Sequence, residues 1–511
     1  MHEAARWTPI GIAGVQRHWT LVCVVAALAL CTTWVRQITD APIQGDAAST
    51  ARMAINLAHN GVIGDAPGSP PAPTMYREPV PAVTAALGVI LADAFMGRAE
   101  TDAYLSGTRA KYLKSHHLLW KAGAVCAAYF LTFVLTSSRA AALLAALVVG
   151  THRPNIDNLL TELEAATLLM LGIALLIAGL SRRSLRIVLL AGICFGLLAL
   201  TKAVFLYVFV GFVLAVPLVL FALRDRGARP TTLATLAVLV IGFGGVTLPW
   251  MLRNQLQLGS FQISERGGLT LYIRAVKNEM TWDEYKGSFY AWSPGPLRKL
   301  TGLITGFSPT DLDHGGRLQR FNRNMSDDLA AELSGNPAAA ISFYRIARAE
   351  RVRLGARYEA AGHPAPARAA DAQLAARAME ALEAHPFRHL ATTLPFLWRG
   401  AALQIPVFLI ALIYSIRARH RGLLLAMIVA IFYIMIHALF TDFEPRYAIT
   451  TLPLTAVAAI ALVAAASLHH RTMPMVRWLK AQAAPGATHD SVPSADVDTR
   501  SVSHSTDASI R

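Results

Sequence analysis

Gly45-Asp46-Ala47-Ala48-Ser49-Thr50-Ala51-Arg52-Met53-Ala54-Ile55-Asn56-Leu57-Ala58-His59-Asn60-Gly61 follows the first strongly apolar segment, and Tyr76-Arg77-Glu78-Pro79-Val80-Pro81 closes the same stretch after a Pro- and Gly-rich run. It carries Asp46 and Glu78 in a region rich in small residues. We read residues 45–81 as an extracytoplasmic active-site loop with Asp46 as the foremost catalytic candidate. A carboxylate near a membrane surface can serve as general base toward a hydroxyl or an amine. On position alone, an ordinary solvated loop acid is the plainer reading.

The composition explains why a membrane enters the argument. Of 511 residues, 54% are hydrophobic and only 15% charged, against about 25% charged in soluble domains. Mean hydropathy is +0.43. The net charge of +15 falls largely in short clusters between apolar runs, where the positive-inside rule puts basic residues on the cytoplasmic side. No soluble domain with a basic stripe is left over, so nucleic acid is excluded as a partner. The four cysteines all lie in apolar segments without CxxC spacing, which argues against a disulfide framework or a zinc site.

Residues 1–18 read as a cytoplasmic N-tail and 19–35 as an uncleaved anchor. Further apolar runs fall at 118–137, 140–152, 159–180, 185–201, 203–223, 231–250, 391–415, 422–440 and 448–468. Basic clusters at Arg182/Arg183/Arg186, Arg224/Arg226/Arg229, Arg417/Arg419/Arg421 and His469 to Arg477 fix the orientation. Residues 36–117, 251–390 and 441–447 then lie outside, with both termini inside. Residues 79–96 leave two alternatives. If they cross, 118–152 is one broken helix. If they lie at the surface, 118–137 and 140–152 are separate spans. Pro79, Pro81 and Asp93 favour the surface, although Arg98, Arg109, Lys111 and Lys114 then stand outside against the positive-inside rule.

The expectation is an all-α polytopic membrane protein with about ten transmembrane helices. Its parts are a membrane module over 19–250 that includes the loop 36–117, a mixed extracytoplasmic loop domain over 251–390, C-terminal spans over 391–468, and a cytoplasmic, mostly disordered tail over 469–511. Within the loop domain, a Gly- and aromatic-rich half precedes an Ala-rich helical half.

The remaining polar candidates cluster at outer helix ends. Tyr76, Arg77 and Glu78 are stiffened by the flanking prolines. Glu162 belongs to an acidic run, Pro154 to Glu164, at a helix start that the macrodipole would favour anyway. Lys202 ends the run 185–201, where snorkelling is its plain role. Arg253 and Asn254 follow Trp250, and Glu444, Arg446 and Tyr447 precede the last span; either arginine could grip a phosphate. The span middles carry almost no ionisable residues, unlike a proton-coupled transporter. The pattern suits chemistry on a lipid-borne substrate.

Taken in order, these motifs resemble the GT-C superfamily of polytopic glycosyltransferases, among them protein O-mannosyltransferases and the aminoarabinose and galacturonic acid transferases of lipid A. The resemblance rests on Gly45-Asp46, Tyr76-Arg77-Glu78-Pro79-x-Pro81, Leu159-Leu160-Thr161-Glu162, Leu200-Thr201-Lys202, Pro249-Trp250-x-x-Arg253-Asn254 with Gly267-Gly268-x-x-Leu271-Tyr272, His385-Pro386, and Glu444-x-Arg446-Tyr447 with Pro453. It departs in having a single Asp46 rather than a paired acid, and in Glu78. The resemblance implies transfer of a sugar from a polyprenyl-phosphate donor to a lipid, glycan or protein acceptor, with inversion, at the outer face of a bacterial inner membrane. It makes Asp46 the base, and Lys202, Arg253 and Arg446 the partners of the leaving phosphate. Glu162 and Glu78 would hold the acceptor or a divalent cation; no His/Cys cluster in the sequence fixes a metal. A lipid or solute transporter and a non-catalytic binder of lipid-linked sugar are the alternatives.

Overall fold

The computed structural model describes residues 12–65, 71–152, 161–222 and 229–482. It divides into two units, Met1–Ala464 and Ala465–Arg511, and everything below concerns the first. The N-tail up to residue 11, residues 153–160 of the acidic run, Arg224 and Arg226 of one basic cluster, and the tail from 483 lie outside the described residues.

The described residues are helical and contain no strand. The first part of the chain forms α1 (Ile12–Gln37), α2 (Asp46–Asn60), α3 (Pro79–Met96), α4 (Thr101–Leu105), α5 (Ala110–Lys114), α6 (His117–Thr136), α7 (Arg139–Thr151), α8 (Glu162–Arg182), α9 (Leu185–Thr201), α10 (Val204–Ala222) and α11 (Arg229–Leu258). Residues 259–384 fold into α12 (Gly267–Val276), α13 (Trp282–Ala291), α14 (Gly295–Thr305), α15 (Ser326–Leu333), α16 (Phe343–Ala360) and α17 (Pro366–Ala384), with short 3-10 turns between them. The chain ends with α18 (Pro386–Ala401), α19 (Ile405–Arg417), α20 (Arg421–Phe440), α21 (Pro445–Ala448) and α22 (Leu452–Gln482).

Among the described residues, six helical segments are long and apolar enough to cross a membrane. The pair α18 and α19 reaches that length together but bends by 99°, and four shorter apolar helices accompany them. The run 391–415 is therefore not one straight span. Pro406 in the first turn of α19 suits a fresh helix start, and buried Gln404 at the break bonds the Ala448 carbonyl and Thr451.

Close helix packing follows from glycine. Gly192 and Gly196 stand four apart on α9 and face Gly242 and Phe243 of α11, where a Cβ on Gly192 or Gly242 would overlap the opposing backbone. Such small-residue spacing lets two apolar helices approach without a hydrophobic driving force between them. Helix α8 is nearly all buried and packs on α6 and α9.

α6 and α7 are separate antiparallel helices. They turn through Ser137 and Ser138, and the Ser138 hydroxyl caps α7. Lys121 near the start of α6 reaches the carbonyls of Val149 and His152 at the end of α7. α2 and α3 run parallel: Arg77, just before α3, meets Asp46 at the start of α2, while Asp93 near the end of α3 meets His59 near the end of α2. These helices share a core of their own with α4 and α5, built on Ala51, Ile55, Val89, Tyr104 and Leu113. The cations that conflict with the positive-inside rule are largely consumed by this fold. Arg109 bonds Asp93 and the Met96 and Gly97 carbonyls, and Lys114 bonds the Thr39 and Ala41 carbonyls.

The segment 259–384 is held by charge. Asp371 of α17 caps the start of α12 through two 2.8 Å bonds from Gly268 and Leu269. Glu350 takes Arg353 and Arg377, and Glu332 takes Arg345 and Arg348. The alternating charges of α16 and α17 thus bind helices to each other. The Gly- and aromatic-rich half forms α12 to α14, and a Thr281–Glu284 capping box starts α13.

Candidate active site

A cavity of about 930 Å³ opens where the start of α8 and the ends of α9, α11 and α20 meet the loops around residues 46, 77, 264 and 446. Asp46 stands at its polar end as the first residue of α2. Gly45 precedes it at φ 58°, in the left-handed region that favours glycine, and this turn brings the carboxylate inward.

Three arginines from distant parts of the chain converge on that carboxylate. Arg77 lies 2.6 Å and Arg266 3.1 Å from Oδ1, and Arg446 lies 3.4 Å from Oδ2. Burial would raise the Asp46 pKa, but Arg266, Arg77 and Arg446 together outweigh it and hold the group well below the usual carboxylate range. The carboxylate remains 35% exposed, open to the cavity. Arg446 also binds Glu444 at 2.9 Å, and Glu444 in turn takes Arg323. The Tyr76 ring lies within 6 Å of Arg77, Arg266 and Arg351. Burial works against its ionisation, yet Arg266 and Arg351 draw its phenol below the ordinary value.

A second charged pair lines the same wall. Lys202, just past α9, sits 2.9 Å from Glu162 Oε1 and over the Tyr447 ring. Glu162 Oε2 is buried with no hydrogen-bond partner. Glu78 Oε1 accepts from the Ala203 backbone and the Ser264 hydroxyl, tying the start of α3 to the α9–α10 junction. Away from these charges the walls turn apolar, with Leu206 and Tyr207 of α10, Met251 of α11, and Ile436 and Phe440 of α20.

The structure thus brings Asp46, Arg77, Glu78, Glu162, Lys202, Arg446 and Tyr447 to one cavity. Arg253 and Asn254 are not among its lining residues. Arg253 donates to the Thr74 carbonyl and to Asn254, and Asn254 donates to the Gln262 carbonyl, so the pair braces the loops around the cavity. Tyr76 and Glu444 stand behind the arginines. Sequence reasoning missed Arg266; the signal was its place directly before Gly267-Gly268, a motif already singled out. It also missed Arg351 and Asp371, which are inconspicuous in charge-rich helices. Among the described residues lining the cavity, Asp46, Glu162 and Glu265 meet cations, Glu78 meets N–H and O–H donors, and Asp371 caps α12. Among the described residues, one group of metal-capable side chains forms away from the cavity: His116, His117 and Glu164.

No protein-family model matches the chain, and no curated protein matches it. Among solved structures it is similar to the archaeal oligosaccharyltransferase AglB from Archaeoglobus fulgidus in complex with an inhibitory peptide and a dolichol-phosphate, at 13% identity and a TM-score of 0.45 over 94% of this chain and 53% of that one. It is also similar to ArnT from Cupriavidus metallidurans in the apo state, at 14% identity and a TM-score of 0.36 over 88% and 77%. The same enzyme bound to undecaprenyl phosphate gives 14% and 0.34 over the same shares. The likeness is distant at these scores, and the chain spans about half the length of the archaeal structure.

Proposed function

We propose that this protein transfers a sugar from a polyprenyl-phosphate donor to an envelope acceptor on the extracytoplasmic face of the membrane. One observation carries the reading: a single cavity joins five cations, Arg77, Lys202, Arg266, Arg368 and Arg446, to an apolar wall from α10, α11 and α20. That is the shape of a site for an amphiphile with an anionic head. Phosphate suits clustered guanidinium groups, which bind its oxygens in pairs, and an isoprenoid tail suits the apolar wall.

Chemistry follows from the pairing of Asp46 with the arginines. In the geometry above Asp46 is a weak base, because three cations stabilise its ionised form. A donor phosphate entering among Arg266 and Arg446 competes for them and returns basicity to Asp46. The carboxylate then takes the proton of the acceptor hydroxyl or amine. The acceptor atom bonds to the anomeric carbon from the face opposite the phosphate, the bond from that carbon to the phosphate oxygen breaks, and the lipid phosphate leaves with the electron pair. The configuration inverts. Arg266, Arg446 and Lys202 stabilise the charge that grows on the leaving phosphate. Glu162, with one oxygen unpartnered, is placed to accept from a sugar or acceptor hydroxyl.

The test is mass spectrometry of lipid-linked sugars and envelope glycans from cells with and without the protein. Loss of one sugar from an envelope component, with the matching polyprenyl-phosphate sugar accumulating, supports the reading. Unchanged glycans and lipid-linked sugars in cells shown to express the protein contradict it.

A further inference from the structure

His116, His117 and Glu164 meet between the start of α6 and the first turn of α8, and all three are buried. One ligand atom from each lies within 4.8 Å of the other two. The first-loop helices close the group from one side: Thr84 of α3 lies 3.4 Å from Glu164 Oε1 and 3.5 Å from the Trp120 indole nitrogen.

The hydrogen bonds here pose a problem of protons. His116 Nδ1 lies 2.8 Å from the Leu113 carbonyl oxygen, which can only accept, so Nδ1 carries the hydrogen. In the neutral ring, Nε2 then presents a lone pair. It faces Glu164 Oε1 at 3.1 Å. A lone pair against a carboxylate oxygen is repulsive unless a shared proton or a metal cation lies between them. A neutral Glu164 acid donating its hydroxyl to Nε2 is the metal-free alternative, and the zinc measurement below decides between the two. A fully ionised imidazolium–carboxylate pair would also supply a shared proton, but both side chains are almost wholly buried, at 2% and 1% exposure. Glu164 Oε2 would still be left without a partner, and a buried charge with an unsatisfied oxygen is costly.

We propose that His116, His117 and Glu164 bind a zinc ion. Two imidazole nitrogens and one carboxylate make a donor set that suits zinc over magnesium or calcium, which take oxygen ligands. Ligand distances of about 2.0–2.2 Å place a nitrogen and an oxygen on one ion a little over 3 Å apart, close to the His116–Glu164 separation. The Leu113 carbonyl then acts as the outer partner that fixes the His116 tautomer, the usual arrangement for a metal-bound histidine. The ion ties α6 to α8 beside α3. Because Glu164 stands two residues beyond Glu162, it also sets the wall of the cavity without reaching its contents. Three side chains hold the ion and leave a fourth position open, and the binding does not depend on the proposed transferase activity.

The experiment uses tag-free full-length protein in detergent, equilibrated with zinc, desalted and analysed by elemental mass spectrometry. About one zinc per chain is expected, with at least about a tenfold loss of affinity in His116→Ala and in Glu164→Gln. A variant-free measurement runs beside it: cobalt added to chelator-treated wild-type protein should give the visible bands of a low-symmetry nitrogen and oxygen site, and zinc should abolish them and raise the melting temperature. Wild-type protein that retains no zinc overturns the proposal. So does zinc content that survives both substitutions, which would place the ion elsewhere.

Discussion

Arg446 lies 3.4 Å from Asp46, so the short segment before α22 closes on the loop that opens α2. Arg77 and Arg266 complete the enclosure from two further segments. Loops spread over most of the sequence therefore share one carboxylate, and the cavity exists only when the helices that carry them are correctly packed.

Arg266 is expected to matter as much as any residue named from the sequence. Arg266→Ala would remove the charge-assisted contact proposed above for the donor phosphate, with an expected loss of about 10- to 100-fold in kcat/KM. Steady-state kinetics with a polyprenyl-phosphate sugar checks this. Arg266→Lys should restore only part of the loss, because an ammonium cannot grip two oxygens in the guanidinium fork. Full activity in Arg266→Ala would remove this arginine from the site.

The depressed pKa of Asp46 gives a pH dependence with a definite sign. Its folded-state value lies below its ordinary value of 3.8. The stabilisation from the arginines is therefore complete above 3.8 and is lost as pH falls from there toward the depressed value. Melting temperatures measured between pH 6 and pH 3 should fall more steeply at the acid end for wild type than for Asp46→Asn. Parallel curves would show that the arginines do not hold the carboxylate in solution.

Glu78 is a brace in this structure. Glu78→Gln keeps an oxygen that can accept from Ala203 and Ser264, so activity and stability should stay near wild type. Glu78→Ala leaves both donors unsatisfied and should cost about 1–3 kcal/mol, read as a lower melting temperature. A Gln variant that folds normally but has lost transfer would give Glu78 a direct part in the chemistry.

Gly192→Val tests the α9–α11 contact. The new side chain meets the α11 backbone, and overpacking typically costs about 1–3 kcal/mol. A clear drop in melting temperature is expected, whereas Gly245→Ala in the neighbouring stretch of α11, with open space around it, should change little.

Much of this was legible in the sequence because polar residues at the ends of apolar runs stand out. Asp46, Arg77, Glu162, Lys202 and Arg446 could be named without coordinates, and all line the cavity. Arg253 was equally conspicuous but turns to the Thr74 carbonyl; on a helix end, one step in register decides which way a side chain points. Arg266 stayed hidden because a loop has no periodicity to announce its direction. His116 and His117 join Glu164 only through the packing of α6 on α8, which composition does not reveal. The bend between α18 and α19 was masked by an apolar run that continues through it.

Transfer by Asp46→Asn tests the central claim most directly. Purified wild-type and variant protein would be loaded with the same polyprenyl-phosphate sugar and followed through a single turnover, with donor binding measured in parallel. The account predicts that the folded variant still binds donor and loses about 100- to 10,000-fold in transfer rate, the usual contribution of a general base. A folded Asp46→Asn protein that binds donor and transfers at the wild-type rate would contradict it.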